Sequence, residues 1–268
     1  MKMVTLAKKL PGFHQYDPVV ALTCLGDELF VLRDRDVSQV EVYSTKTSED
    51  FTQRRQISVS DLDTDVCSDM TSCVRRRCLY ISDGKNSRIH KSTSTGDVIA
   101  KWPVPNTPVG VSLTPTNNLL VTCYEIRKLV ELCSESGDCV RQVELQSDIV
   151  RPWHAIQLAS QLYVVLHTGD ELSMINVVDF DGRILPKTPT SACSRVPQLR
   201  WPYHMATDRD HFVFVADHEN NGLILLSPSM EFLRRISLKQ RPHRLYLDHA
   251  TRCLYVGHHS GDVTVIRV

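Results

Sequence analysis

Hydrophobic and β-branched residues are grouped in short runs along the whole chain, and glycine, aspartate, asparagine or proline bounds most of them. Runs such as 79–83 (Leu-Tyr-Ile-Ser-Asp) and 212–217 (Phe-Val-Phe-Val-Ala-Asp) have the length and residue types of β-strands. Apolar residues at the i, i+3, i+4 spacing of an amphipathic helix are nearly absent. The pattern therefore predicts an all-β fold.

The predicted strands occur in groups that repeat every 40 to 50 residues, with starts at 108, 152, 202 and 242 and two weaker copies from 18 and 69. Four short strands at this period are the pattern of a β-propeller blade. We therefore predict one six-bladed domain over residues 1–268, with blades at approximately 18–59, 61–104, 107–145, 149–190, 199–240 and 241–268. A pair of β-sandwiches is the alternative, but sandwiches need no such repeat.

The last group contains only three strands before the chain ends at Val268. Residues 4–10 (Val-Thr-Leu-Ala-Lys-Lys-Leu) have the composition of the missing outer strand. We predict that this segment completes the last blade, joins the first blade to it and removes an open sheet edge.

The charge balance and the cysteine content exclude some binding mechanisms and indicate a cellular compartment. The 31 basic and 31 acidic residues cancel, which excludes a polybasic arm or acidic tail as the main binding device. Nine cysteines, an odd number, lie partly in apolar runs, which indicates core residues in a reducing compartment. The start of the chain has no apolar stretch typical of a signal peptide, and no window approaches a membrane helix. We expect a monomeric, cytoplasmic domain without membrane contact.

Several repeats carry a recognisable motif. The segments 108–114 (Pro-Val-Gly-Val-Ser-Leu-Thr), 79–90 (Leu-Tyr-Ile-Ser-Asp-Gly-Lys-Asn-Ser-Arg-Ile-His) and 212–221 resemble the NHL repeat. Across the chain, the sequence resembles the six-bladed NHL propeller at the C-terminus of tripartite-motif (TRIM-NHL) ubiquitin ligases and their invertebrate relatives. The resemblance implies a module that recognises RNA or protein, as the substrate-recognition part of a ligase.

The last three repeats each begin with an arginine beside a proline and a ring, which suggests a shared binding face. We predict a non-catalytic module that binds single-stranded or structured RNA, or a protein, without a cofactor. Stacking on bases and pairing of arginine with phosphate or carboxylate suit these residue types. The alternative is that the prolines start strands and the rings fill gaps between blades. The candidate binding residues are Arg151, Trp153, His154, Arg200, Tyr203, His204, His243 and Arg244.

Repeat alignment also places titratable residues in two rings around the predicted channel. The aligned positions are Val20, Asp69, Gly110, His154, His204 and Arg244 in the first strands, and Gly84, Tyr124, His167, His218 and His259 after the second strands. Asp69, His154 and His204 form a two-histidine, one-carboxylate set that suits zinc or iron with open coordination positions. The alternative function is therefore a zinc-dependent lyase or hydrolase at the channel mouth. The amidating lyase among NHL relatives uses inner-strand histidines, but Val20 and Gly110 occupy two of the six matching places here.

Overall fold

The structure is a computed structural model, and it describes residues 4–6, 17–34, 39–45, 53–60, 62, 69–159, 162–168, 173–185 and 198–268. The described residues contain 23 β-strands and no helix, so none of their elements is a helix long and apolar enough to cross a membrane. The strands form six antiparallel sheets in a ring, and the prediction of an all-β, six-bladed propeller is confirmed.

Strands that follow one another in sequence pair within each of the first three blades. Blade 1 contains β2 (Val19–Leu25), β3 (Glu28–Arg33), β4 (Gln39–Ser44) and β5 (Gln53–Ser58). Blade 2 contains β6 (Met70–Cys73), β7 (Cys78–Asp83), β8 (Arg88–Thr93) and β9 (Val98–Pro103). Blade 3 contains β10 (Pro108–Leu113), β11 (Leu119–Cys123), β12 (Lys128–Leu132) and β13 (Cys139–Glu144).

Blade 5 has the same order, whereas blades 4 and 6 differ in their outer strand. Within the described residues, blade 4 has three strands, β14 (Pro152–Ala159), β15 (Leu162–Thr168) and β16 (Ser173–Val178), with a single bridge from Val178 to Ile184 beside them. Blade 5 contains β17 (Pro202–Thr207), β18 (Val213–Asp217), β19 (Gly222–Leu226) and β20 (Phe232–Ser237). Blade 6 contains β21 (Pro242–Asp248), β22 (Cys253–His258), β23 (Val263–Arg267) and β1 (Val4–Leu6).

The N-terminal strand closes the ring. Val4, Thr5 and Leu6 pair with Arg267, Ile266 and Val265 of β23, so the first strand of the chain is the outer strand of the last blade. This pairing agrees with the predicted closure over its first residues, whereas residues 7–10 of the predicted strand lie outside the described residues.

The hydrophobic core lies between the blades. The buried apolar residues form six clusters, and each cluster combines side chains of two neighbouring blades. At the seam between blades 6 and 1, Gly257 packs so closely that an added Cβ would lie 2.5 Å from side-chain carbons of Val19 and Leu22. Each blade therefore depends on both neighbours, and the ring is stable only when closed.

Closure by β1 is tested by truncation. Removal of residues 1–10 exposes the edge of β23, and the loss of a few hydrogen bonds at about 1 kcal/mol each corresponds to a fall in melting temperature of roughly 5 °C or more. Thermal unfolding followed by circular dichroism measures this fall. A variant that begins at Met3 retains β1 and is the matched control. Equal midpoints for the two truncated chains would contradict closure by this strand.

Candidate functional site

The inner strands β2, β6, β10, β14, β17 and β21 surround a central channel, and we define the front face as the face at which they begin. The strand register places one residue of each inner strand at the same level near this face. Each of them directly precedes the residue that pairs with the equivalent position of the second strand, which is Val31, Ile81, Val121, Val165, Val215 or Val256. In blade order, the six aligned residues are Ala21, Asp69, Gly110, His154, His204 and Arg244. Five of the six positions match the predicted ring. In blade 1 the residue is Ala21, not Val20, because Val19 occupies the strand position that a proline occupies in blades 3 to 6, and Pro18 lies one residue earlier.

Asp69, His154 and His204, which we term the channel cluster, converge from blades 2, 4 and 5. Asp69 Oδ2 lies 3.3 Å from His204 Nε2 and 3.7 Å from His154 Nε2. The two imidazole rings stack with centroids 3.8 Å apart. All three side chains are buried. They are 50 to 135 positions apart in the sequence, and the structure brings them together as the repeat alignment predicted.

Hydrogen bonds fix two members of the channel cluster. Asp69 Oδ1 accepts the Met70 N–H at 2.9 Å, and Oδ2 accepts the Val111 N–H of the next blade at 2.9 Å. The Leu245 N–H donates to His204 Nδ1 at 3.4 Å. A neutral His204 ring therefore carries its proton on Nε2, from which it donates to Asp69 at 3.3 Å.

Electrostatics keep Asp69 ionised and His154 neutral. Burial alone raises the pKa of the Asp69 carboxyl, but His204, His154 and Arg244 together lower it well below its usual range. Burial, and next the neighbouring His204, lower the pKa of His154 well below that of a free imidazole. One carboxylate and one neutral imidazole are thus held side by side at neutral pH.

Gly110 and a cavity adjoin the channel cluster. A Cβ on Gly110 would lie 2.6 Å from the Trp153 carbonyl oxygen and 3.1 Å from His154 Cδ2, so only glycine leaves room for this imidazole. A cavity of about 150 Å³ extends from His154 and His204 along the inner strands to Thr207 and the exposed His249. A small ligand entering from the far face could therefore reach the cluster.

A second group of rings lies on the front face itself. Successive neighbours have centroids 4.6 to 6.3 Å apart, and most pairs meet edge to face or tilted. We term this group the aromatic row, and it crosses blades 3 to 6. Its members are Tyr124, Trp153, Tyr203, His218, His243 and His259.

Exposed residues border the aromatic row where blades 4 and 5 begin. The Trp201 side chain is 57% exposed, and Arg151 and Arg200 are also exposed. Arg151 and Trp201 directly precede prolines and have φ values of +48° and +53°, which non-glycine residues seldom adopt. Their backbone conformation therefore turns them away from the strand and towards solvent.

The eight predicted binding residues occupy three environments. Arg151 and Arg200 are exposed, Trp153, Tyr203 and His243 are half-buried in the aromatic row, and His154, His204 and Arg244 are buried in the channel. A fully exposed binding surface therefore cannot contain all eight. The prediction separates into a front face and a channel because adjacent residues, such as Trp153 and His154, lie at different depths.

Four aromatic or histidine residues of the front face were absent from the predicted set. Tyr124, His218 and His259 follow second strands, so repeat alignment alone could have added them. The same alignment misplaced His167, which pairs with Pro152 and is equivalent to Asp217 and His258 rather than to His218. Trp201 is the fourth, and only its φ and exposure distinguish it from a core tryptophan.

Comparisons with known proteins support the fold alone. No protein-family model matches the chain, and no curated protein matches it in sequence, so membership of the NHL family stays a prediction. The structure is similar to Kuenenia stuttgartiensis hydrazine synthase, with 13% identity, a TM-score of 0.65, and 95% of this chain and 97% of that chain covered.

Two further solved structures share the propeller. One is a catalytically inactive His-to-Ala variant of virginiamycin B lyase from Staphylococcus aureus with quinupristin, with 12% identity, a TM-score of 0.64 and 100% of both chains covered. The other is the WD40 β-propeller domain of Doa1, with 10% identity, a TM-score of 0.66, and 98% of this chain and 96% of that chain covered. At such identities, these neighbours confirm a β-propeller and assign no activity.

The buried histidines predict a loss of stability in mild acid. Burial, and next the neighbouring His259, lower the pKa of His218 to about 4, and burial lowers that of His258 to about 4. Because an unfolded histidine titrates near 6.5, the unfolded chain binds more protons between these values, and stability falls as pH drops from about 6.5 to about 4. Each group contributes roughly 3 kcal/mol at most.

Melting temperature measured between pH 7.5 and 4.5 tests this dependence. The His218→Gln/His258→Gln variant should show a clearly shallower fall than the wild type. Ser229→Ala, on an exposed turn of the opposite face, is the control and should keep the wild-type slope. An unchanged slope in the double variant would show that these two imidazoles do not control acid stability.

Proposed function

We propose that this propeller is a non-catalytic recognition module that binds a protein partner through its front face. The observation that carries the proposal is the exposed Trp201, which follows the exposed Arg200 and occupies in blade 5 the position that the exposed Arg151 occupies in blade 4, beside the aromatic row. Tryptophan, tyrosine and arginine are the residue types that dominate binding energy in protein interfaces. Trp201 belongs to none of the hydrophobic clusters of the described residues, whereas Trp153 packs against the cluster between blades 4 and 5.

The Trp201 segment is held in position before any partner arrives. The Arg200 N–H donates to Asp217 Oδ1 at 2.8 Å, and the Glu219 N–H donates to the Arg200 carbonyl at 3.0 Å. The His218 N–H approaches the Trp201 carbonyl at 3.4 Å. A segment that is already ordered loses less conformational entropy on binding, which favours affinity.

The charge of the front face favours protein over RNA. Arg241 is 3.2 Å from Glu219, so part of the positive charge is already neutralised, and Glu125 is also exposed there. RNA affinity depends largely on neutralising phosphates, and the chain has zero net charge. A protein segment with an acidic side chain beside an apolar or aromatic one matches Arg151, Arg200 and Trp201 better.

The shared fold and the sequence resemblance both bear on the class of partner. A WD40 propeller domain shares this fold, and propeller domains generally mediate protein interactions. The resemblance to tripartite-motif ligases would make the partner a substrate for ubiquitination. RNA, the other macromolecule that the sequence predicts, becomes the competing outcome of the test below.

Selection from a displayed library of random peptides tests the proposal, with the complete chain as bait and a randomised RNA pool in parallel at near-physiological salt. We expect enriched peptides that combine an acidic and an aromatic residue. Trp201→Ala and Arg200→Ala should each weaken binding of these peptides by about 10- to 100-fold without lowering the melting temperature, since both side chains are exposed.

Leu233→Ala is the matched control, because Leu233 is a 46% exposed apolar residue on the outer strand of blade 5. It should leave peptide affinity unchanged. Enrichment of an RNA motif that the Trp201→Ala variant loses would overturn the assignment to protein. Failure of both pools to enrich any ligand, or peptides that bind all three variants equally, would overturn recognition by this face.

A further inference from the structure

We propose that the channel cluster is a binding site for one divalent transition-metal ion of the zinc class, separate from the front face. Asp69, His154 and His204 would supply one oxygen and two nitrogen ligands. Among the described residues, this is the group whose side-chain donor atoms all lie within 4.8 Å of one another. Carboxylate and imidazole are common zinc ligands, and three protein ligands leave a coordination position open.

The separations between donor atoms suit a single ion. Ligands at about 2.0–2.1 Å from a tetrahedral zinc ion lie roughly 3.4 Å from one another. Asp69 Oδ2 lies 3.3 Å from His204 Nε2 and 3.7 Å from His154 Nε2. A metal ion at the centre of this set would contact all three donor atoms once the two imidazole rings, whose centroids lie 3.8 Å apart, spread so that both Nε2 lone pairs point at it.

His154 supplies an independent reason to expect a ligand. Its side chain is 2% exposed, and neither ring nitrogen makes a hydrogen bond to the described residues. Buried polar groups nearly always have a partner, because leaving one without costs about 1–3 kcal/mol. A metal ion bound at Nε2 would give this imidazole the partner that the surrounding protein does not.

The carboxylate of Asp69 is already oriented for ligation. Backbone N–H groups of Met70 and Val111 hold its two oxygens at 2.9 Å, as outer hydrogen bonds commonly hold metal ligands. Each oxygen retains a lone pair for a metal ion. The carboxylate also compensates part of the charge of a divalent cation.

His204 must change its hydrogen bonds when the ion binds. Its proton would move from Nε2 to Nδ1, which gives up the contact with the Leu245 N–H. That contact is 3.4 Å long, so the hydrogen bond that is lost is a weak one, but two N–H donors would then face each other, and the imidazole must turn so that Nδ1–H meets an acceptor.

The cavity provides a path for the ion and space for a further ligand. His154 and His204 line its end, and its wall continues past Ser112 and Met205 to the exposed His249. A water molecule or small anion could therefore complete the coordination from the channel. Gly110 keeps the space beside His154 free of a Cβ.

Titration of the chelator-treated complete protein with Zn²⁺ and Co²⁺ tests the site. We expect one equivalent of each metal to bind, with the visible absorption of four- or five-coordinate cobalt and no thiolate-to-cobalt charge-transfer band, because the cluster has no cysteine. His154→Gln and Asp69→Asn should each weaken binding by about 100-fold or more. Bound Zn²⁺ should raise the melting temperature of the wild type but not of these variants.

The His218→Gln/His259→Gln variant is the matched control, because it removes a pair of neighbouring histidines from the front face and should still bind one equivalent. If this variant loses the metal while His154→Gln keeps it, the ion belongs to the front face and the proposal is wrong. Failure of the wild type to bind one equivalent at micromolar Zn²⁺ would also overturn it, whatever the variants do. Peptide binding by the front face should be the same with and without metal.

Discussion

The unpaired inner edges of the six blades are the constraint on which this structure depends. Each inner strand has a neighbouring strand on one side only, so its N–H and C=O groups on the other side face the channel and need partners. Side chains of the preceding blade provide several of them: Asp69 accepts the Val111 N–H, His204 accepts the Leu245 N–H, and Ser112 Oγ donates to the Ala155 carbonyl. Polar and titratable side chains are concentrated in the channel for this reason.

The same constraint separates two kinds of chemistry. Residues that point into the channel are buried and held by backbone groups, as Asp69 is, and their ionisation is set by burial and by one another. Residues at the start of the inner strands lie on the front face, where turns with positive φ place Arg151 and Trp201 in solvent. A small ion suits the first environment and a macromolecule suits the second, so the two proposed sites can act independently.

The fold could be predicted in nearly all its parts because the strand pattern repeats six times, and each repeat must bury its faces against two neighbours. Blades 1 and 2 are the two weaker copies of the repeat, and their outer strands are Gln53–Ser58, which is largely polar, and Val98–Pro103, which is half-exposed. Their existence follows from the hydrogen bonds that the third strand would otherwise lack, and not from a hydrophobic pattern.

The site was less predictable, because burial changes from one residue to the next at the start of an inner strand. Alignment correctly placed Asp69, His154 and His204 at one level, whereas in blade 1 it took Val20 for Ala21, because Pro18 lies one residue before the position of the prolines in blades 3 to 6. The exposure of Trp201 depends on the backbone conformation before Pro202, which leaves no trace in the hydrophobic pattern. Sequence therefore identified which residue types meet near the front face but not which of them reach solvent.

Hydrogen exchange of the complete chain, with and without its best enriched peptide, is the measurement that tests recognition by the front face most directly. The account predicts protection confined to the segments at the start of blades 4 to 6, around residues 151–154, 200–204, 218–219 and 241–244. Protection of the opposite face instead, around residues 74–77 and 208–212, would contradict it.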